Sequence, residues 1–265
     1  MALARRPSKK AARQAKIDPA AVPLVSFEQA DGIAASERRL QRLKNGRTRK
    51  PLAPERIAAL LDALVESYPK VVCELNHTSA WELTVATILS AQCTDARVNL
   101  VTPELFRRFP TPQAMASASL HEIEELVKTT GFFRNKAKSI QGAARTVVEE
   151  FSGAVPQTMD EILRLPGVAR KTANVVLGSW YGIAVGVVVD THVLRLSRRL
   201  ELTRHTQPEK VERDLMKIIP QERWIAFSHE LIHHGRQVCV ARTPRCADCT
   251  LEHLCNSPEK TWASA

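Results

Sequence analysis

The 265-residue chain is 44% hydrophobic and 25% charged, with a formal net charge of +10. That balance describes a globular protein able to bury a core. No apolar run approaches the roughly 18 residues of a membrane span, the longest being "GIAVGVVV".

The charge is concentrated at the start of the chain. Residues 1–50 carry 13 Lys or Arg against 4 Asp or Glu, while the rest of the sequence holds 25 against 24. A basic, aromatic-poor arm of this kind is expected to be disordered and able to tether to a polyanion, or simply to be a solvated extension. "MALARRPSKKAARQAK" places charges where a secretory signal needs its apolar centre, and its basic, acid-poor character also fits an organellar transit peptide.

From residue 54 onward, apolar residues recur at helical spacing, giving expected helices at about 54–68, 79–92, 95–109, 119–130, 135–151, 158–164, 168–180, 190–200, 207–219 and 221–238. Capping-box pairs mark four of the starts: Ser79 with Glu82, Ser119 with Glu122, Thr158 with Glu161, and Thr206 with Glu209. Gly131 and Gly153 stand where helices should stop. Pro103 is expected to kink or divide the third helix. Only "AVGVVVD" (184–190) has β character, and a lone strand has nothing to pair with, so it is read as a buried connection. The expected class is all-α.

"RLPGVARKTANVV" (164–176) reads as a helix, a tight turn and a second helix: a helix–hairpin–helix. Its exposed backbone N–H groups suit a phosphate oxygen, and such contacts position a nucleic-acid backbone without reading bases. Arg170 and Lys171 then open a helix at its electropositive end, an unfavourable place for cations. The helix terminus, Arg170 and partial burial would each discourage the ammonium form, as a nucleophilic lysine requires. A lysine that only contacts phosphate fits equally well. Asp190 ends the apolar run and opens the next helix. Capping is the plainer role for it, although a carboxylate there can also move protons or stabilise a cationic sugar.

Cys239, Cys246, Cys249 and Cys255 follow a C-x6-C-x2-C-x5-C spacing. Zinc sites more often pair two C-x2-C knuckles, so the spacing favours an iron–sulfur cluster over zinc. Cys73 and Cys93 stand alone and read as packed thiols.

"LSAQCTD", "GFFRNKA", "LPGVARKTAN", "VDTHVLRL", "HGRQVC" and the four-cysteine spacing, in that order, resemble the endonuclease III family of DNA repair glycosylases over roughly residues 52–258. The resemblance implies two helical lobes with a DNA cleft between them. A six-helix barrel with the hairpin would occupy 73–183. A lobe holding one [4Fe–4S] cluster would combine 51–72 with 184–265, with residues 1–50 as an extension. It implies a bifunctional enzyme of base excision repair, removing oxidised pyrimidines from double-stranded DNA and cleaving abasic sites. Lys171 would attack C1′ and form a Schiff base, assisted by Asp190, and Cys239, Cys246, Cys249 and Cys255 would ligate the cluster. Gln92, at the end of the second helix, would fill the hole left by an extruded base. Phe132, where the family usually has leucine, would be a wedge or else a packed core ring. Gly167, Val168 and Arg170 of the hairpin, with Arg242 and Arg245 of the cluster loop, would contact the DNA backbone. A monomer working in the bacterial cytoplasm, at the nucleoid, is the matching expectation.

Two departures stand out. Ala169 replaces the second glycine of the usual hairpin; its Cβ would push the backbone away from a phosphate and weaken DNA binding, unless a helical φ there makes it harmless. The interval from Lys171 to Asp190 is one residue longer than usual. Two other functions compete: a monofunctional mismatch glycosylase, whose relatives generally lack this lysine, and a non-catalytic Fe–S protein that senses DNA damage.

Overall fold

A computed structural model describes residues 52–262; the basic extension 1–50 lies outside them. Among the described residues the regular structure is helical throughout, in eleven α-helices and a few 3₁₀ turns, so the all-α class holds. In chain order these are α1 (Pro54–Ser67), α2 (Ala80–Leu89), α3 (Asp95–Arg108), α4 (Pro112–Ser117), α5 (Leu120–Val127) and α6 (Phe133–Glu150). There follow α7 (Met159–Ile162), α8 (Arg170–Ser179), α9 (Thr191–Arg199), α10 (Pro208–Ile218) and α11 (Trp224–Gln237).

Side-chain chemistry explains most of the starts. Ser79 accepts from the Glu82 amide at 3.1 Å to open α2, and Thr94 and Thr111 cap α3 and α4 in the same way. Thr158 both accepts from the Glu161 amide and donates to its carboxylate at 2.6 Å. Two expected boxes do not form. Ser119 precedes α5 without a side-chain cap bond, and Glu122 pairs with Arg108 instead. At α10 the cap is Gln207, not Thr206, because Pro208 fixes the first helical φ itself.

Two further expectations change. α4 lies where no helix was expected, since six residues are too few for a helical period to show. α3 runs through Pro103 undivided; Val98, Thr102 and Leu105 anchor its inner face, and that burial outweighs one missing hydrogen bond.

The buried side chains form two clusters. The first runs from Leu75 to Val188 and surrounds α2, every residue of which except Glu82 is buried. α2 packs on α3, α6 and α8. The second takes Ile57 to Leu64 from α1 and Val187 to Leu251 from the C-terminal part, with α11 lying against α9 and α1. Residues 184–190 form no strand and connect the two. Val188 faces the first cluster while Val187 and Val189 face the second. The β-like alternation of this stretch thus serves two cores rather than the two faces of a sheet. Val188 gives its amide to Ser228 Oγ at 3.1 Å, where a strand would have used a neighbour.

Candidate active site

The hairpin joins α7 to α8. The Val168 amide donates to the Leu165 carbonyl at 3.0 Å, closing a tight turn in which Gly167 has φ +81°. A Cβ on Gly167 would lie 2.6 Å from Ser139 Cβ, so both conformation and space demand glycine. Val168 therefore has no amide to offer a phosphate, and its side chain is buried. The available donors are the first amides of α8, which have no acceptor within a helix. Ala169 is the N-cap at φ −97°, ψ 170° rather than a helical residue. That extended conformation, in place of the expected helical φ, costs an L-residue no strain.

Lys171, second in α8, is exposed rather than partly buried, because α8 turns residues 172–178 inward and leaves 171 at the rim. It lines a pocket with Asp190, Cys73, Glu74, Asp95, His229 and Arg236. Asp190 caps α9: its Oδ1 accepts from the His192 and Val193 amides, both at 2.8 Å. Among the described residues Oδ2 takes no hydrogen bond, so the capping role leaves half the carboxylate for other work.

Arg170 does not stand free beside the lysine. Its Nε donates to Glu212 Oε2 at 2.7 Å, and Glu212 Oε1 accepts from Asn174 Nδ2 at 2.8 Å. Glu212 is buried on α10 and its hydrogen bond raises the Arg170 pKa further. The charge expected to repel Lys171 is thus paired.

Across the pocket Arg236 of α11 donates to Asp95 at 2.6 Å and to Glu74. The His233 Nε2 lies 3.0 Å from Glu74 Oε1 but out of hydrogen-bond line. Burial, with His233 beside it, pulls His229 down to about 4, so that imidazole is neutral at pH 7. Glu74, Asp95, Glu212, His229 and Arg236 are not among the site residues expected from sequence. Asp95 and Arg236 were visible inside "LSAQCTD" and "HGRQVC"; Glu74 and Glu212 carry no local signal.

Gln92 is exposed, at φ 54°, in the turn after α2, which ends at Leu89 instead of reaching residue 92. Phe132 is 66% exposed at φ 48°, ahead of α6, and so is not a core ring.

Cys239, Cys246, Cys249 and Cys255 line a second pocket, with Leu196, Leu200 and Leu251 among its walls. Three of the sulfurs meet N–H groups: Arg199 Nη1 on Cys239 at 3.2 Å, the Thr261 amide on Cys246 at 3.4 Å, and His234 Nε2 by Cys249 at 3.4 Å. Arg242 and Arg245 are exposed on the intervening loop, Arg245 donating to the Gln237 carbonyl. Cys73 and Cys93 are half-buried against the first cluster, in line with packed thiols, although Cys73 also borders the Lys171 pocket. Among the described residues no helix is long and apolar enough to cross a membrane.

Residues 85–221 match the family described as HhH-GPD superfamily base excision DNA repair protein. Endonuclease III of Synechocystis sp. is 58% identical over 205 residues, covering 77% of this chain and 94% of that protein. Endonuclease III of Escherichia coli K12 is 40% identical over 201 residues, covering 76% and 95%. A solved structure of a trapped endonuclease III–DNA covalent intermediate superposes with a TM-score of 0.75 at 42% identity, covering 79% of this chain and 98% of that one. The chain belongs to the endonuclease III family of base excision DNA repair proteins.

Proposed function

We propose that this chain is a bifunctional DNA glycosylase and abasic-site lyase, acting on oxidised pyrimidines in duplex DNA through Lys171 and Asp190. The observation that carries the reading is the meeting of these two residues in one pocket beside the hairpin. Hairpin amides at the start of α8 hold a phosphate and set the register of the strand. With the target nucleotide out of the stack, the Lys171 amine attacks C1′ through its nitrogen lone pair. The bond to the base breaks, and its electron pair leaves with the base. The amine proton passes to an acceptor, the role proposed for Asp190 Oδ2, and is returned to O4′ as the sugar ring opens to the Schiff base. Loss of a C2′ proton then expels the 3′ phosphate. Such a covalent adduct with DNA is what was trapped for the 42%-identical relative.

Around this chemistry the two hydrophobic clusters support a division into a barrel lobe (73–183) and a second lobe (51–72 with 184–265), with the pocket between them. Gln92 and Phe132, exposed on turns of the first lobe, fill and wedge the duplex at the vacated base. Gly167 and Arg170 of the hairpin, and Arg242 and Arg245, support the DNA backbone.

The four cysteines fit a [4Fe–4S] cluster. They share one pocket with apolar walls, and their C-x6-C-x2-C-x5-C spacing, with a single C-x2-C knuckle, suits a polynuclear centre better than zinc. When bound, the cluster supplies a staple that fixes the loop carrying Arg242 and Arg245.

Borohydride should trap a covalent adduct with DNA bearing an abasic site or an oxidised pyrimidine, and Lys171→Ala should abolish it. An undiminished adduct in that variant removes the nucleophile. Base release without strand cleavage would favour a monofunctional glycosylase.

A further inference from the structure

Gln92 and Phe132 lie on different segments but share one backbone feature. Both are non-glycine residues in the left-handed region, at φ 54° and 48°, and both side chains are exposed. An L-residue stays in that region only when its surroundings hold it there.

One side chain holds both turns. Lys136, in the first turn of α6, is 5% exposed. Its Nζ donates to the Leu89 carbonyl at 2.8 Å and to the Thr130 carbonyl at 2.7 Å. Leu89 closes α2 just ahead of Gln92, and Thr130 stands just ahead of Gly131 and Phe132. The Lys136 amide completes the arrangement by donating to the Phe132 carbonyl at 3.1 Å.

Among the described residues the ammonium has no carboxylate partner. Burying a cation on neutral carbonyls alone is a costly way to join two loops. A helix-terminal carbonyl such as that of Leu89 could take a water or a hydroxyl instead. A single charged donor shared by two segments, however, fixes their relative register, which separate caps do not.

We infer that Lys136 is a positioning residue for base extrusion. Its buried ammonium locks the Gln92 turn to the Phe132 turn, so that the hole-filling and wedging side chains enter the duplex as one unit. The inference rests on the insertion roles proposed above for those two residues.

The test compares two substrates with the cluster-loaded, full-length protein. Duplex DNA with an oxidised pyrimidine requires extrusion and filling. Single-stranded DNA with a preformed abasic site requires neither. Lys136→Met should slow single-turnover base release from the duplex by about tenfold or more, while strand cleavage of the single-stranded substrate stays within about twofold. Gln92→Ala should slow the duplex reaction in wild type and add little on top of Lys136→Met, because both remove the same unit. Lys136→Gln keeps an uncharged N–H donor group, covers a Met variant that fails to fold, and should give a smaller loss with the same substrate dependence. Equal losses on both substrates, full additivity with Gln92→Ala, or an unchanged duplex rate overturns the inference. If Gln92→Ala and Phe132→Ala leave the duplex-to-single-strand ratio unaltered, the insertion reading itself fails. If they alter it and the Lys136 variants do not, only the inference fails.

Discussion

Glu212, buried on α10, accepts a hydrogen bond from Arg170, the residue immediately before Lys171, at 2.7 Å. Its other oxygen takes Asn174 of the same helix face, so one carboxylate pins the first turn of α8 on both sides of the lysine. Gly186 leaves room for it: a Cβ there would lie 2.1 Å from Glu212 Oε1. Glu212→Gln and Gly186→Ala should therefore both lower the single-turnover rate of borohydride trapping, by about tenfold. Affinity for an abasic duplex should change little. Weakened affinity at an unchanged trapping rate would instead confine Arg170 to its DNA-backbone contact, with no part in holding Lys171.

Asp190 carries two jobs that substitution can separate. Asn retains the oxygen that accepts from the His192 and Val193 amides, whereas Ala removes it. Asp190→Asn should melt close to wild type yet lose base excision by about a hundredfold or more, in the range of a lost acid–base group. Asp190→Ala should lose stability as well, by about 1 kcal/mol. Near-normal activity in the Asn variant would reduce Asp190 to a helix cap.

His229 ties stability to pH. Burial, then the charge of His233, holds it at about 4 in the folded protein, against 6.5 for a free imidazole. Between those values the unfolded chain binds a proton that the folded one does not, so stability rises with pH across the window and is lost as pH falls from about 6.5 towards 4. The loss at pH 5 relative to pH 7 should be on the order of 2 kcal/mol from this group. His229 meets Ser179 Oγ at 3.1 Å, a contact glutamine can imitate. Urea denaturation at the two pH values should show a smaller difference for His229→Gln than for wild type.

The cysteine pocket has a specific donor. His234 is buried between Tyr68, whose hydroxyl is 3.0 Å from Nδ1, and Cys249, whose sulfur is 3.4 Å from Nε2. With Cys249 as a ligand of the proposed cluster, its sulfur would carry no proton, so Nε2 would donate and Nδ1 accept. An N–H···S bond stabilises the more negative, reduced cluster. His234→Phe in loaded protein should shift the reduction potential downward in voltammetry, and Tyr68→Phe should do so less. An unshifted potential in a fully loaded His234 variant would show that this contact leaves the cluster unaffected.

Local chemistry made much of this molecule legible. The caps at Ser79 and Thr158 and the demand for glycine at 167 rest on neighbours within a few residues, and so does the tight turn before Lys171. Ser119 and Thr206 were misread for the same reason in reverse. A capping box is a local preference, and a distant arginine or an adjacent proline can override it. For Phe132 the sequence offers a wedge or a packed core ring, because a phenylalanine after glycine fits a surface as well as a core. Only the left-handed turn, held by Lys136, exposes it.

By itself the sequence determined the helical class, the hairpin, the cysteine set and the pairing of a lysine with an aspartate as candidates for chemistry. The first three are encoded in periodicity, turn residues and spacing along the chain, whereas the lysine–aspartate pairing came from the resemblance to a known family. The tertiary structure decided which charges meet: Arg170 with Glu212, Arg236 with Glu74 and Asp95, and Lys136 with two carbonyls on separate turns. It also gave the valines of 187–189 two cores to serve. Those partners lie far apart in sequence, and a charged side chain carries no local mark of the partner it will find after folding.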